Sequence, residues 1–204
     1  MNDVLTYYSY AKVNLGLKIV NKRQDGYHNI HSLFIELDLC DKLLFSTYPK
    51  FKLTSNDKYS SYFPLDNTNI ISKAYKLMHS QLDTIPIEYS VHINKNIPIG
   101  SGLGGGSSNA AITLKALNQL WNIGFSNKKL EKLGLLLGAD IPFFINGEFQ
   151  LVEGIGERLS PQKNDLLKNL YFLLIIPSIY ISTKKAYSHL NKPLSSTQSY
   201  SKFP

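Results

Sequence analysis

Pro98-Ile-Gly-Ser-Gly-Leu-Gly-Gly-Gly-Ser-Ser-Asn-Ala-Ala111 decides how this chain is read. Five of the seven residues from Gly100 to Gly106 are glycine, which removes the Cβ atoms that would hold a backbone away from a ligand. Glu88 to Ile93, just upstream, has strand character, and Ser107 to Trp121, rich in alanine and leucine, reads as a helix. A helix N-terminus offers unpaired N–H groups and the positive end of the peptide dipoles. Strand, glycine loop and helix start therefore make an anion site, most often for phosphate. An ordinary strand-to-helix turn needs far fewer glycines.

The surroundings narrow the kind of phosphate site. From Tyr89 to Leu130 there is no Asp or Glu, and carboxylates there would repel a polyphosphate. Gly100, Gly102 and Gly105 satisfy G-x-G-x-x-G, but a dinucleotide fold also wants an acidic residue about 20 positions on, inside the acid-free window. A Walker loop ends in Gly-Lys-Ser/Thr, whereas Gly106 is followed by Ser107. A protein-kinase glycine loop leads into a strand carrying a lysine, not into a helix.

Further out, Ala11, Val13, Leu15, Leu17 and Ile19 alternate with Lys12, Asn14, Gly16 and Lys18, the pattern of a half-buried strand with Lys12 and Asn14 on its polar face. Asp25-Gly26 marks a turn. Leu33 to Leu39 alternates again, followed by Leu43 to Thr47. Asn69 to Leu82 has helical spacing with a cap near Asn67 to Asn69. Asn127 to Leu137 is a second helix stopped by Gly138. Glu148 to Val152 and Arg158 to Leu159 form a hairpin around Gly154-Ile-Gly156. Tyr171 to Ile176 reads as a buried strand, Thr183 to Leu190 as a short helix, and the Ser-rich tail from Ser195 as loose. The pattern is mixed α+β, without a regular βαβ alternation or an internal repeat.

With 204 residues and 43% hydrophobic residues the chain can bury a core. Its single cysteine, Cys40, permits no internal disulfide and suits a reducing cytoplasm. Met1 to Tyr10 lacks a basic start followed by an apolar run, so no secretory signal is expected. Tyr171 to Pro177 is too short an apolar run to span a bilayer, so no membrane is expected as a partner. The net charge of +7 comes from dispersed lysines, and only Arg23 and Arg158 are arginine. That argues against nucleic acid, which is read with clustered, bidentate arginine.

Four segments together resemble the GHMP kinase superfamily. The glycine stretch resembles the superfamily's second motif, Pro-x-x-x-Gly-Leu-Gly-Ser-Ser-Ala, in a longer triple-glycine version. Ala11-Lys-Val-Asn-Leu15, Asp25-Gly-Tyr-His28 and Leu137-Gly-Ala-Asp-Ile-Pro142 are similar to further motifs, and the similarity runs in order from about Tyr10 to Thr183. The resemblance implies an N-terminal domain of the ribosomal protein S5 domain 2-like type over residues 1–160. Residues 161–204 would be part of a ferredoxin-like C-terminal domain. It implies a cytoplasmic ATP-dependent small-molecule kinase with Mg²⁺.

The triple glycine and Asp25-Gly-Tyr-His28 are similar to the branch of the superfamily that phosphorylates the 2-hydroxyl of cytidine diphosphate methylerythritol in isoprenoid synthesis. They set the chain apart from relatives acting on homoserine, mevalonate or galactose. By this resemblance Lys12 and Asp140 are catalytic. Asn69 and Lys95 lie near adenine, and Pro98, Gly100, Gly102, Leu103, Gly104, Gly105, Gly106, Ser107, Ser108 and Asn109 form the nucleotide cradle. Asn14, Tyr27, His28, Thr183 and Tyr187 would contact the second substrate, with Tyr27 stacking on and His28 hydrogen-bonding to the cytosine. From residue type alone, Asp140 reads rather as an N-cap or turn residue and Lys12 as an exposed strand lysine, while Asn69 is equally a cap and Lys95 a loop lysine.

Metal ligands stay open, with Ser107 or Ser108 able to lend a hydroxyl and Glu131 a weak further candidate. The superfamily's third motif is again glycine-rich, and no glycine follows Gly156 here. Weak or no turnover, an exposed apolar strand edge around Leu173 to Ile176, and a nucleotide-binding fragment as the alternative function are therefore expected.

Overall fold

The computed structural model describes residues 4–163, 167 and 170–176. Two long antiparallel strands, β1 (Leu5–Lys22) and β2 (His28–Thr47), form its backbone. They meet at the Asp25-Gly26 turn, where Gly26 has φ +85° and Asp25 accepts the Tyr27 N–H at 3.1 Å. The two apolar runs of residues 33–39 and 43–47 are one strand. Its second half pairs with β4 (Tyr89–Asn94) and its first half with β5 (Phe149–Gly154). A short β3 (Lys52–Thr54) lies parallel to β4, and β6 (Arg158–Pro161) completes the expected hairpin with β5. The described residues thus form one mixed six-stranded sheet.

Among the described residues four helices share the core with this sheet. Helix α1 (Ile70–His79) begins where Asn69 Oδ1 accepts the Ile71 N–H at 2.8 Å, as a cap residue should. Helix α2 (Gly105–Leu120) starts two residues earlier than its alanine-rich pattern implies, because glycine carries no helical signal of its own. Its small residues Ala110, Ala111 and Ala116 are fully buried and admit close neighbours. Helix α3 (Asn127–Leu135) is capped by Ser126, and α4 (Ile141–Asn146), five of whose six residues are buried, has Pro142 in its first turn. The largest buried side chains, among them Tyr75, Phe34, Phe45 and Phe143, close the space between layers.

One irregularity in β2 matters for the site. Phe34 meets Phe143 of α4 with ring centroids 5.3 Å apart, and Asp41, Leu43 and Phe45 also face the helix layer. Seven positions separate Phe34 from Asp41, an odd interval that a regular two-residue alternation would send to opposite faces. The β1–β2 register breaks between Tyr10 and Ala11, where Asp38 and Leu39 stand without β1 partners, and the inward face changes across this irregular stretch.

Two expectations need correction. The polar face of β1 is the buried one near Lys12, which is 6% exposed, whereas Leu15 and Leu17 are 39% and 49% exposed. The glycine loop, the Phe34 ring and Asp140 surround Lys12, so burial follows the site and not side-chain polarity. Residues 171–176 form no strand: they pair with nothing in the described sheet, and Tyr171, Leu173 and Ile175 are exposed. Only Leu174 packs, against a small cluster of Ala11, Ile97 and Leu103. An apolar composition does not make a strand without a ladder partner. Most of the expected second domain, including the helix at 183–190 and the tail, lies outside the described residues.

Candidate active site

The glycine loop is left-handed at Gly100, Gly102 and Gly104, with φ of +71°, +77° and +74°, a region that L-residues with a Cβ rarely enter. Gly104 is also the N-cap of α2, and no side chain caps the helix there. The first N–H groups of α2 therefore face the cleft without a side-chain acceptor. Protein neighbours also demand glycine here. A Cβ on Gly104 would lie 2.6 Å from Phe144 Cζ and 3.1 Å from Lys12 Cγ, and one on Gly105 would lie 2.9 Å from Ile97 Cγ2. At Gly102 there is open space, and only the backbone angle requires glycine.

Lys12 joins the loop through both backbone and side chain. Its N–H donates to Leu103 O at 2.9 Å, which aligns β1 with the loop. Its ammonium donates to Asn14 Oδ1 at 2.6 Å and lies 4.7 Å from the centre of the Phe34 ring. Asn14 is held in turn by Ser32, whose hydroxyl accepts from Asn14 Nδ2 at 3.3 Å and donates to Gly16 O. Burial pushes the Lys12 pKa down, and nearby Asp140 opposes that shift.

Asp140 occupies the N-cap position of α4, yet its side chain makes no capping bond. Its carboxylate, 39% exposed, instead points toward Lys12, with Oδ2 at 3.8 Å from Nζ. A cation and a carboxylate with an unused lone pair thus meet at the edge of the cradle.

A cleft of about 1390 Å³ connects these groups. Its walls bring together Lys12, Asn14, Tyr27, His28, Asn69, Lys95 and Asp140 with Pro98, Gly100, Leu103 and the glycines through Gly106. Ser107 and Asn109 also reach it. Ser108 does not line the cleft: it is buried, with its hydroxyl 2.8 Å from that of Ser9. Asn69 is bonded at both ends, its Nδ2 donating to Pro64 O at 2.6 Å. Lys95 is paired with Asp41. Thr183 and Tyr187 lie outside the described residues.

Sequence reasoning missed the apolar wall of Phe63, Pro64, Ile70 and Ile93, and the Phe34 ring beneath Lys12. No motif marks them, because they read as ordinary core residues. Among the described residues no three His, Cys, Asp or Glu side chains gather to hold a metal ion. Glu131 is on α3, bonded to Asn146 Nδ2 at 2.7 Å, and does not line the cleft. No described helix is long and apolar enough to cross a membrane.

Loop, helix start, Lys12 and Asp140 define a class. Residues 69–148 match the GHMP kinases N terminal domain, and the chain belongs to the GHMP kinase superfamily. The fold agrees: the mevalonate kinase of Methanococcus jannaschii superposes with a TM-score of 0.61 at 16% identity, covering 81% of this chain and 58% of that one.

Within the superfamily the similarity is narrower. The 4-diphosphocytidyl-2-C-methyl-D-erythritol kinase of Ruthia magnifica subsp. Calyptogena magnifica is 42% identical over 196 residues, which cover 95% of this chain and 66% of the relative. A crystal structure of 4-(cytidine 5'-diphospho)-2C-methyl-D-erythritol kinase gives a TM-score of 0.65 at 36% identity, covering 78% of this chain and 55% of that one. The chain thus spans just under two thirds of the length of the curated relatives it matches.

Proposed function

We propose that this chain carries phosphoryl-transfer machinery that moves the γ-phosphoryl group of ATP to the 2-hydroxyl of 4-diphosphocytidyl-2-C-methyl-D-erythritol. One observation carries this reading above the others. The Asp140 carboxylate, unused as a cap, stands 3.8 Å from buried Lys12 in the cleft that receives the N-terminus of α2.

In this reading the N–H groups at the start of α2 hold the nucleotide phosphates, and the Phe63–Pro64 wall with Asn69 and Lys95 receives the adenine. Asp140 takes the proton of the attacking hydroxyl as its oxygen bonds to the γ-phosphorus and the bond to the β-phosphate oxygen breaks, releasing ADP. Lys12, oriented by Asn14, neutralises charge on the group in transit. Tyr27, 58% exposed at the tip of the turn, and half-buried His28 present a stacking face and a hydrogen-bonding ring to the cytosine. Thr183 and Tyr187 are assigned to the same substrate.

Mg²⁺ would arrive with ATP and would supply positive charge to its phosphates. The half-buried hydroxyl of Ser107 faces the cleft and fits a hard cation that keeps most of its ligands from phosphate and water.

The test is ADP release by the full chain, with and without the cytidine diphosphate substrate. Asp140→Asn should lower substrate-dependent release by about 10²–10⁴-fold while leaving ADP affinity at neutral pH unchanged. Turnover on mevalonate, homoserine or galactose in place of the cytidine compound would overturn the substrate assignment. Undiminished turnover in Asp140→Asn would overturn the role of Asp140. ADP binding without any turnover would leave the chain as a nucleotide-binding unit.

A further inference from the structure

A loop with five glycines in seven residues has only Ser101, bonded to Pro98 O, and Leu103, packed on Ala11 and Ile97, as side-chain anchors, and glycine surrenders more backbone freedom on ordering than any other residue. Yet a phosphate cradle works only if its N–H groups are already aimed. Further support for this loop lies outside it. Its middle is tied once to β1, by the bond from Lys12 N–H to Leu103 O.

Its two ends converge on a single carboxylate. Asp41, in the slipped stretch of β2, is fully closed to solvent. Its Oδ1 accepts the backbone N–H groups of Asn96 at 2.7 Å and Ile97 at 2.8 Å, where the chain leaves β4 for the loop. Its Oδ2 accepts Asn109 Nδ2 at 2.9 Å, in the first turns of α2 where the chain leaves the loop, and pairs with Lys95 Nζ. Asn109 Nδ2 also donates to Ser9 Oγ at 2.8 Å, and Ser9 bonds Ser108. No buried side-chain nitrogen or oxygen of this cluster is without a hydrogen-bond partner, and Asp41 itself does not line the cleft.

We infer that Asp41 is a positioning residue for nucleotide binding, its one carboxylate fixing both ends of the glycine loop so that the α2 N–H groups are set before ligand arrives. This rests on the nucleotide reading of the cleft, and it adds a residue that never touches the nucleotide. Asp41→Asn keeps the size but turns an N–H₂ group toward Lys95 and Asn109, or toward the two backbone donors, so one end of the loop loses its acceptor.

The experiment is calorimetric titration of ADP with Mg²⁺ into the full chain, its Asp41→Asn variant, and Leu133→Ala as a stability control. Leu133 is buried in α3 and does not line the cleft. Asp41→Asn should raise the ADP Kd by at least about tenfold, the scale of one charge-assisted hydrogen bond. Leu133→Ala should lower Tm yet leave Kd within about twofold, as expected of a distant site. A Kd for Asp41→Asn within twofold of the unmodified protein overturns the inference, as does an equal rise in Leu133→Ala. Should Asp41→Asn not fold, Ser9→Ala removes one hydroxyl from the cluster, and a rise of about fivefold is expected; no rise overturns the inference. An unmodified chain that binds no ADP would remove the nucleotide reading and this inference together, an outcome distinct from the others.

Discussion

Lys12 and Lys95 share one cleft, and 7% of each side chain is exposed, but their surroundings differ. Lys95 is bonded directly to Asp41, a carboxylate that solvent does not reach. Lys12 gives its direct bond to the neutral amide of Asn14, lies over the Phe34 ring, and has its nearest carboxylate at 3.8 Å on a partly exposed Asp140. A charge whose partner is sealed in with it is committed to the fold. A charge held by neutral groups keeps its field for an incoming anion. On the proposed reading, the cleft therefore has a cation that builds it and a cation left to act in it.

Stability gives the largest test of that contrast. Lys95→Met strands Asp41 in the interior and should cost about 3–5 kcal/mol in denaturant unfolding. Lys12→Met removes a desolvated charge whose carboxylate neighbour still reaches water, so it should cost far less stability while removing turnover. Equal losses in the two variants would break the comparison.

A second test is pH. The Lys12 pKa lies below its ordinary value of 10.5 because burial disfavours the ammonium. ADP affinity should fall as pH rises through that lowered pKa. Asp140→Asn should move the fall to lower pH, since Asp140 is what raises the value. Between the lowered pKa and 10.5 the unfolded chain holds a proton that the folded chain has released, so this group's contribution to stability rises with pH there. An affinity profile unmoved by Asp140→Asn would show that the pair is not coupled.

The smallest effect is at Ser32, which steadies Asn14 and through it Lys12. Ser32→Ala should cost about 1 kcal/mol of stability and shift the alkaline fall of ADP affinity without disturbing the Lys95 pair. A loss as large as that of Lys95→Met would mean that Ser32 belongs to the committed half of the cleft.

Much of this site is legible in the chain because its parts lie in contiguous motifs. Gly100 to Gly106, Lys12 with Asn14, and Asp25-Gly-Tyr-His28 can each be picked out, and the cleft gathers them. Asp140 is also visible, though as a residue type it reads as a cap, and only the structure shows its carboxylate turned away from the helix it precedes. Asp41 is not legible. It follows Asp38 in a strand with no motif, and its inward aim depends on a register slip that composition does not record. Helix α4 escapes notice because a short helix buried nearly all round has no amphipathic period to detect. The run at 171–176 misleads in the other direction, since apolar residues alone do not state what they pair with.

The slip in β2 has a consequence for how the gene can vary. Side chains in a strand alternate with a period of two, so Phe34 and Asp41, at their odd spacing, share the helix side only while the irregular stretch between Leu37 and Cys40 keeps its shape. A substitution that straightened this plain-looking strand would then be felt at Asn109, 68 positions along the chain, in the first turns of the helix that follows the glycine loop. Length varies freely in many turns between strands; here the shape inside one strand is what the distant helix depends on.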